Sequence, residues 1–263
     1  SLREKLFSTT QIEGLFCFEN RKEIFENVHR SFKFIVLTFQ QGGQTKEFPA
    51  AFMRHDLSDL TRFPQEGALQ IKVELLKRLS PDSFSVMEFK SERDIEIAEK
   101  MLAQPLLGDD AAKGWRLELH REFNMTDDAY LFRQESANGR LPLYEGKMIW
   151  HFDCKYVEPR YWINEKEGRK AVLGRELETE AQLDYQTYRL AYRDVTGSTN
   201  ERTLVSTILP PGCFTGNTLV NSAAPKNLSE LLFISAMMNS FAVDYIIRQK
   251  VTNHCNMFYV YQL

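Results

Sequence analysis

A chain of 263 residues with 43% hydrophobic and 26% charged residues has the composition of a globular protein with room for one or two cores, which excludes the disordered and fibrous classes. Its 33 Lys+Arg against 36 Asp+Glu leave a net charge of -3, so composition alone gives no reason to propose a nucleic-acid partner. Cys17, Cys154, Cys213 and Cys255 are scattered without a C-x-x-C pair, which points to structural thiols in a reducing, cytoplasmic setting rather than to disulfides.

Residues 2–8 read as the tail of an amphipathic helix. Because the chain opens at Ser1 already inside that pattern, it is expected to be a piece of a longer protein. The same stretch, "SLREKLFSTTQ", carries charges where a signal peptide needs an apolar core. Two extended runs follow, "IEGLFCFEN" and "SFKFIVLTFQ"; the second is apolar on both faces and predicts a central strand covered on each side. After the polar turn "QQGGQTKE", "FPAAFMRHD" reads as a further strand.

From Leu57 to about Leu107 the pattern turns helical, with "GALQIKVELLKRLS" and "SERDIEIAEKMLAQP" as the two helices, the second opened by Ser91 and Asp94 as a capping box. Residues 61–132 hold 10 Lys+Arg and 14 Asp+Glu, so the negative excess gathers in this connector and the stretch just after it. Beyond Trp115, short strand signals alternate with turns: "WRLELHREF", "KMIWHFD", "YRLAYRDV" and "TLVSTILP". A long helix through Lys250 is expected after Asn227 or Ser229, and "NMFYVYQL" as a closing strand or docking segment. "LLFISAMMNSFAVDYII" is interrupted by Asn239, Ser240 and Asp244 and reads as a buried helix, not a membrane span.

No Gly-rich phosphate loop, G-x-S-x-G elbow or H-E-x-x-H is present, and the five His have no metal-ligand spacing, so no protein-bound metal is expected. Asp82, Glu88 and Lys90 are the residue types of a metal-dependent nuclease, at a spacing shorter than ligands on two strands need. In "YQTYRLAYRDVTGSTNERT", strand alternation puts Arg189, Ala191 and Arg193 on one face and Tyr188, Leu190 and Tyr192 on the other. The two Arg could present forks to phosphate or guanine edges, or pair with Asp194 and Glu201 as a solvated face. Tyr144, Lys147, Trp150 and His151 have the same double reading beside the core residues Met148, Ile149 and Phe152.

Six segments in order, "FENRKEIFENVHRSFKFIVLTF", "MEFKSERDIEIAEK", "LHREFNMTDDAYLF", "LPLYEGKMIWHFD", "YRLAYRDVTGSTNERTLVSTILPPG" and "LLFISAMMNSFAVDYIIRQKV", give the chain its likeness to a family. It resembles the C-terminal part of TaqI-class adenine-specific DNA methyltransferases, a group that includes single-chain restriction-modification enzymes. The resemblance implies an α+β fold: terminal strands of an α/β methyltransferase sheet over 1–56, a helical connector over 57–108, and a β-rich target-recognition domain with a long C-terminal helix over 109–263.

It also implies double-stranded DNA as partner, S-adenosylmethionine as the parent enzyme's cofactor, and base flipping to expose the adenine amine. Phe25 falls where the family stacks an aromatic on the flipped base. Tyr144, Lys147, His151, Arg189, Arg193, Arg202 and Asn217 are the expected DNA-binding residues. The family's cofactor loop and [N/D]-P-P-[Y/F] tetrapeptide are absent, "LPPG" at Leu209 to Gly212 being the nearest string. This chain alone is therefore expected to hold neither a catalytic centre nor the cofactor; both would belong to a missing N-terminal catalytic portion. The alternatives are a non-catalytic specificity or assembly subunit using the 228–250 helix, and the nuclease.

Overall fold

Helix α1 (Leu2–Thr9) runs without a loop into strand β1 (Thr10–Glu19), and two threonines make the junction. The hydroxyls of Thr9 and Thr10 donate to the carbonyls of Lys5 and Leu6 at 2.7 and 2.6 Å, satisfying acceptors that a helix end leaves open. This is a computed structural model, and it describes residues 2–81, 83–109, 115–174, 182–223, 227–251 and 253–263. The described chain forms two compact units that meet in sequence at Pro105 and Leu106.

In the first unit β1 pairs antiparallel with β2 (Lys33–Gln41) and parallel with β3 (Glu47–Arg54), which pairs antiparallel with β4 (Leu69–Lys72). The sheet order is β2-β1-β3-β4. Ile12, Leu15, Phe16 and Phe18 of β1 are buried, as a central strand requires. Gly14, where the β1–β2 register shifts, lies under Phe63: a Cβ there would come within 2.5 Å of the ring. Helices α2 (Val73–Leu79) and α3 (Glu92–Leu102) complete the unit. As the capping pattern predicts, the Asp94 carboxylate accepts from the backbone N–H of Ser91 and Lys90, and α3 buries Ile95, Ala98 and Leu102 at helical spacing.

Three sequence expectations change here. Strand β2 is an edge strand, not a central one, with Ile35, Val36 and Phe39 exposed. The stretch "GALQIKVELLKRLS" divides into β4 and α2, because Leu69 to Lys72 find hydrogen-bonding partners on β3. That pairing also makes residues 57–105 part of the first unit rather than a separate connector.

The second unit contains β5 (Leu119–His120), β6 (Arg140–Tyr144), β7 (Tyr161–Asn164), α4 (Glu165–Leu173), β8 (Arg189–Arg193), β9 (Ser206–Leu209), β10 (Phe214–Thr215), β11 (Leu219–Ser222), α5 (Leu228–Met238), α6 (Phe241–Lys250) and α7 (Met257–Tyr261). The strands form two small sheets, β10-β6-β7 and β5-β11-β8-β9. The fold class is therefore mixed α+β. One core layer joins Phe123, Leu143, Ile163, Tyr185 and Phe214; another joins Met148, Ile149, Ala191, Leu209 and Leu219.

The expected long C-terminal helix is two helices meeting at a 67° bend. Asn227 caps α5 by accepting from the Ser229 N–H, and Ser240 caps α6 by accepting from Val243. The break has a tertiary cause: the Asn239 amide donates to the carbonyls of Ser206 and Ser235, both at 2.9 Å, so this residue turns inward instead of continuing the helix. Among the described residues no single helix is long and apolar enough to cross a membrane. The final run forms α7 rather than a strand, and "KMIWHFD" forms a 3-10 turn followed by a tight reversal.

Candidate nucleic-acid interface

Arg189 is withdrawn from the expected DNA contacts by its burial. It is 0% exposed, on a strand held between β9 and β11, and its guanidinium donates to Glu122 Oε1 at 2.6 Å and to the Cys213 carbonyl at 2.5 Å. The second Glu122 oxygen accepts from the Thr215 N–H and hydroxyl at 2.8 and 2.9 Å, so both carboxylate oxygens are engaged and the two charges meet inside the protein, with Arg189 Nε the one buried donor of the pair left without an acceptor among the described residues. Burial works against the guanidinium's charge, but Glu122 and Cys213 together outweigh it and raise the pKa.

Alternation failed on β8 because Arg189, Leu190, Ala191 and Tyr192 are all buried, leaving no solvent face. Tyr144 is corrected likewise: it lies in the core with Met148 and Ile149, and burial pushes its phenol up to about 12.

The remaining residues converge on the turn at 150–153. Trp150 and Asp153 exchange backbone hydrogen bonds, which leaves His151 and Phe152 at the tip. Phe152 has a φ of 60° and is 66% exposed. A bulky side chain in the left-handed region costs about 1 kcal/mol or more. The Phe152 N–H donates to the Ser206 carbonyl at 3.2 Å, which anchors the strained residue. Trp150 stacks on exposed Tyr156 with ring centroids 5.6 Å apart, while the Arg193 guanidinium lies 4.8 Å from the Trp150 ring and donates to the Ile149 carbonyl.

Arg202 repeats this arrangement. Its guanidinium lies 4.6 Å from the ring of Phe241, which is 81% exposed, and donates to the Asn239 carbonyl at 2.6 Å. His151 joins the two halves by a short hydrogen bond from Nδ1 to Asn239 Oδ1. The donations of the Asn239 amide to two carbonyls fix which of its atoms is oxygen, so His151 Nδ1 carries the hydrogen. Nε2 is buried with no hydrogen-bond partner among the described residues. Burial, reinforced by Arg202 and Arg193, lowers the His151 pKa against the opposing pull of Asn239 and Asp244, and keeps the ring neutral near pH 7.

Lys147 is 53% exposed and 3.3 Å from Glu145; Lys155 and Arg160 are also exposed, as are the acids Asp153 and Glu158. Asn217 is half-buried, its N–H donating to the Phe123 carbonyl. Thus His151, Arg193 and Arg202 are part-buried around the 150–153 turn and Asn239, with Arg202 also 3.7 Å from Asp244; Lys147 is exposed three residues before the turn, and Tyr144 and Arg189 belong to the core. Sequence reasoning missed Asn239, Phe241 and Tyr156. Only Phe241, a large apolar residue directly after an N-cap serine, carried a signal that could have found it.

In the first unit, fully buried Asn20 organises the loop that presents Phe25. Its amide donates to the carbonyls of Phe25 and Val28 at 3.0 and 2.8 Å, and its oxygen accepts from the Phe25 N–H at 2.9 Å. Phe25 is 51% exposed and meets Phe34 edge-on at 4.7 Å, so it is a surface aromatic on a fixed loop.

Of the nuclease set, Asp82 lies outside the described residues, Glu88 pairs with Lys33 at 2.6 Å, and the Lys90 N–H donates to Asp94. Among the described residues no three of His, Cys, Asp or Glu come together as a metal site. The "LPPG" string ends β9 in a turn with Gly212 at φ 81°, and does not fit the acceptor pair that an adenine amine needs.

No protein-family profile and no curated protein matches this sequence. Among solved structures it is similar to the type IIG restriction endonuclease BpuSI, at 12% identity and a TM-score of 0.40, over 97% of this chain and 36% of that one. It is also similar to the type IIL restriction-modification enzyme MmeI in complex with DNA, at 10% identity and a TM-score of 0.43, over 97% of this chain and 34% of that one. The chain spans about a third of the length of either protein.

Proposed function

We propose that this chain is the DNA-recognition portion of an S-adenosylmethionine-dependent adenine-N6 DNA methyltransferase of a restriction-modification or phage-defence system. The observation that carries the proposal is the surface of the second unit, where Arg193 over Trp150 and Arg202 over Phe241 lie on one hydrogen-bonded frame with exposed Lys147 and Lys155 nearby. Guanidinium and ammonium groups match phosphate, and the aromatic rings match base faces. The ordered segments that resemble the methyltransferase family supply the reaction class. The cofactor and the methyl-transfer step belong to a portion this sequence lacks; the open edge and exposed apolar residues of β2 are where its strands and helices would add.

A second reading, a non-catalytic assembly subunit, is favoured by one feature, the exposed Leu232 and Met237 on the outer face of α5. Selecting bound duplexes from a random pool and sequencing them separates the two. Recognition predicts one enriched site with an adenine at a fixed position. A pool that returns unenriched would overturn it and leave the assembly role.

A further inference from the structure

We infer that Phe152 is an aromatic wedge that enters the base stack of locally distorted DNA, with Phe241 as a neighbouring stacking face. This rests on the reading of the second unit as a DNA-recognition module, and deepens it by naming a mode of contact. The Phe152 side chain sits at the tip of a closed turn, 66% exposed, on a left-handed backbone that a bulky residue rarely adopts. Asn, Asp or Gly would fit that backbone with less strain, so folding alone does not account for a phenylalanine there.

The tip is held rigidly. Its N–H is bonded to Ser206, Ser206 to Asn239, and Asn239 to His151. The ring therefore loses little freedom on insertion, which is what a wedge requires.

The surroundings identify the occupant. An apolar protein partner would want a continuous apolar patch, but here two of the aromatic rings carry a guanidinium, Arg193 on Trp150 and Arg202 on Phe241, and exposed Lys155 lies three residues beyond Phe152 in the segment leaving the turn. Asp244 is engaged within the protein by Arg248 and by the N–H groups of Thr203 and Leu204, while Asp153, whose side chain accepts from the Lys155 N–H, Glu158 and Glu201 are exposed acids among these cations. Flat apolar faces ringed by guanidinium groups suit bases joined by phosphates.

The test uses the whole chain and two fluorescein-labelled duplexes of one sequence, one fully paired and one with a central unpaired base beside a 2-aminopurine. The wild type is expected to prefer the bulged duplex by about tenfold, within the range of one base–aromatic stack, and to change the 2-aminopurine fluorescence. Phe152→Ala should bind the two duplexes equally and leave the 2-aminopurine fluorescence unchanged. Phe152→Gly should bind like Phe152→Ala yet melt at a higher temperature than it, since glycine accepts the left-handed backbone.

Equal binding of the two duplexes by the wild type, or a preference that survives in Phe152→Ala, overturns the wedge and leaves DNA recognition standing. No binding of either duplex overturns both. A dimer in light scattering that dissolves in Phe152→Ala would assign the ring to a second copy of this chain and overturn the proposal.

Discussion

Strands β2 and β8 invert the expectations that their compositions raise. The first, "KFIVLTFQQ", is apolar on both faces and yet lies at a sheet edge with Ile35 59% and Phe39 50% exposed. The second, "RLAYR", begins and ends with arginine and yet has four of its five residues buried. Hydropathy states what environment a strand tolerates at low cost; the neighbours decide what it receives. Glu122, Thr215 and Cys213 surround Arg189 with matching groups, whereas no described residue of the first unit covers Ile35 and Phe39 of β2. A charged strand buried with satisfied partners belongs to a finished core. An apolar strand left open marks a surface that another element is built to cover.

The largest expected effect lies on the buried side of this contrast. Glu122→Ala leaves the Arg189 guanidinium without its carboxylate and should cost about 3–5 kcal/mol in urea denaturation. Adding Arg189→Met to Glu122→Leu should restore most of that stability, because the double change removes both charges and fills their volume. A Glu122→Ala cost typical of a surface residue would contradict the burial of the pair.

On the open side the isolated chain should hardly respond. Val36→Lys with Phe39→Lys should change its stability by less than about 0.5 kcal/mol, as substitutions at exposed positions do. The same pair of changes should abolish association with the catalytic portion proposed above, measured by co-purification. A large loss of stability in the isolated chain would show that β2 is already covered.

The smallest effect concerns His151. Its folded pKa lies below the unfolded value, so as pH falls the unfolded state takes the proton first and the folded state loses stability below about pH 6.5. Melting temperature should therefore fall more steeply from pH 7 to pH 5.5 in the wild type than in His151→Gln. Parallel curves would mean that the histidine is solvated in both states.

Local features were legible where their causes are local. The Ser91 and Asp94 pattern marked the start of α3, and the apolar runs marked β1, β3 and β9. The rest depended on partners far along the chain. Arg189 is buried because Glu122, 67 residues away, meets it, and the helix break at Asn239 depends on Ser206, 33 residues away. Neither pairing leaves a periodicity to read. Of the expected DNA-binding residues, His151, Arg193 and Arg202 gather around the 150–153 turn and Asn239 because that segment reverses tightly, although its sequence reads as a strand.

The central claim is that the surface around this turn, and not Arg189, meets DNA. Its most direct test is a salt titration of duplex binding by the wild type, by Lys147→Ala with Lys155→Ala, and by Arg189→Met with Glu122→Leu. The lysine variant should bind more weakly, and its slope of log affinity against log salt should be shallower by about 1 for each phosphate no longer neutralised by a lysine. The core variant should follow the wild-type line. A lysine variant on the wild-type line, with the core variant displaced from it, would contradict the account.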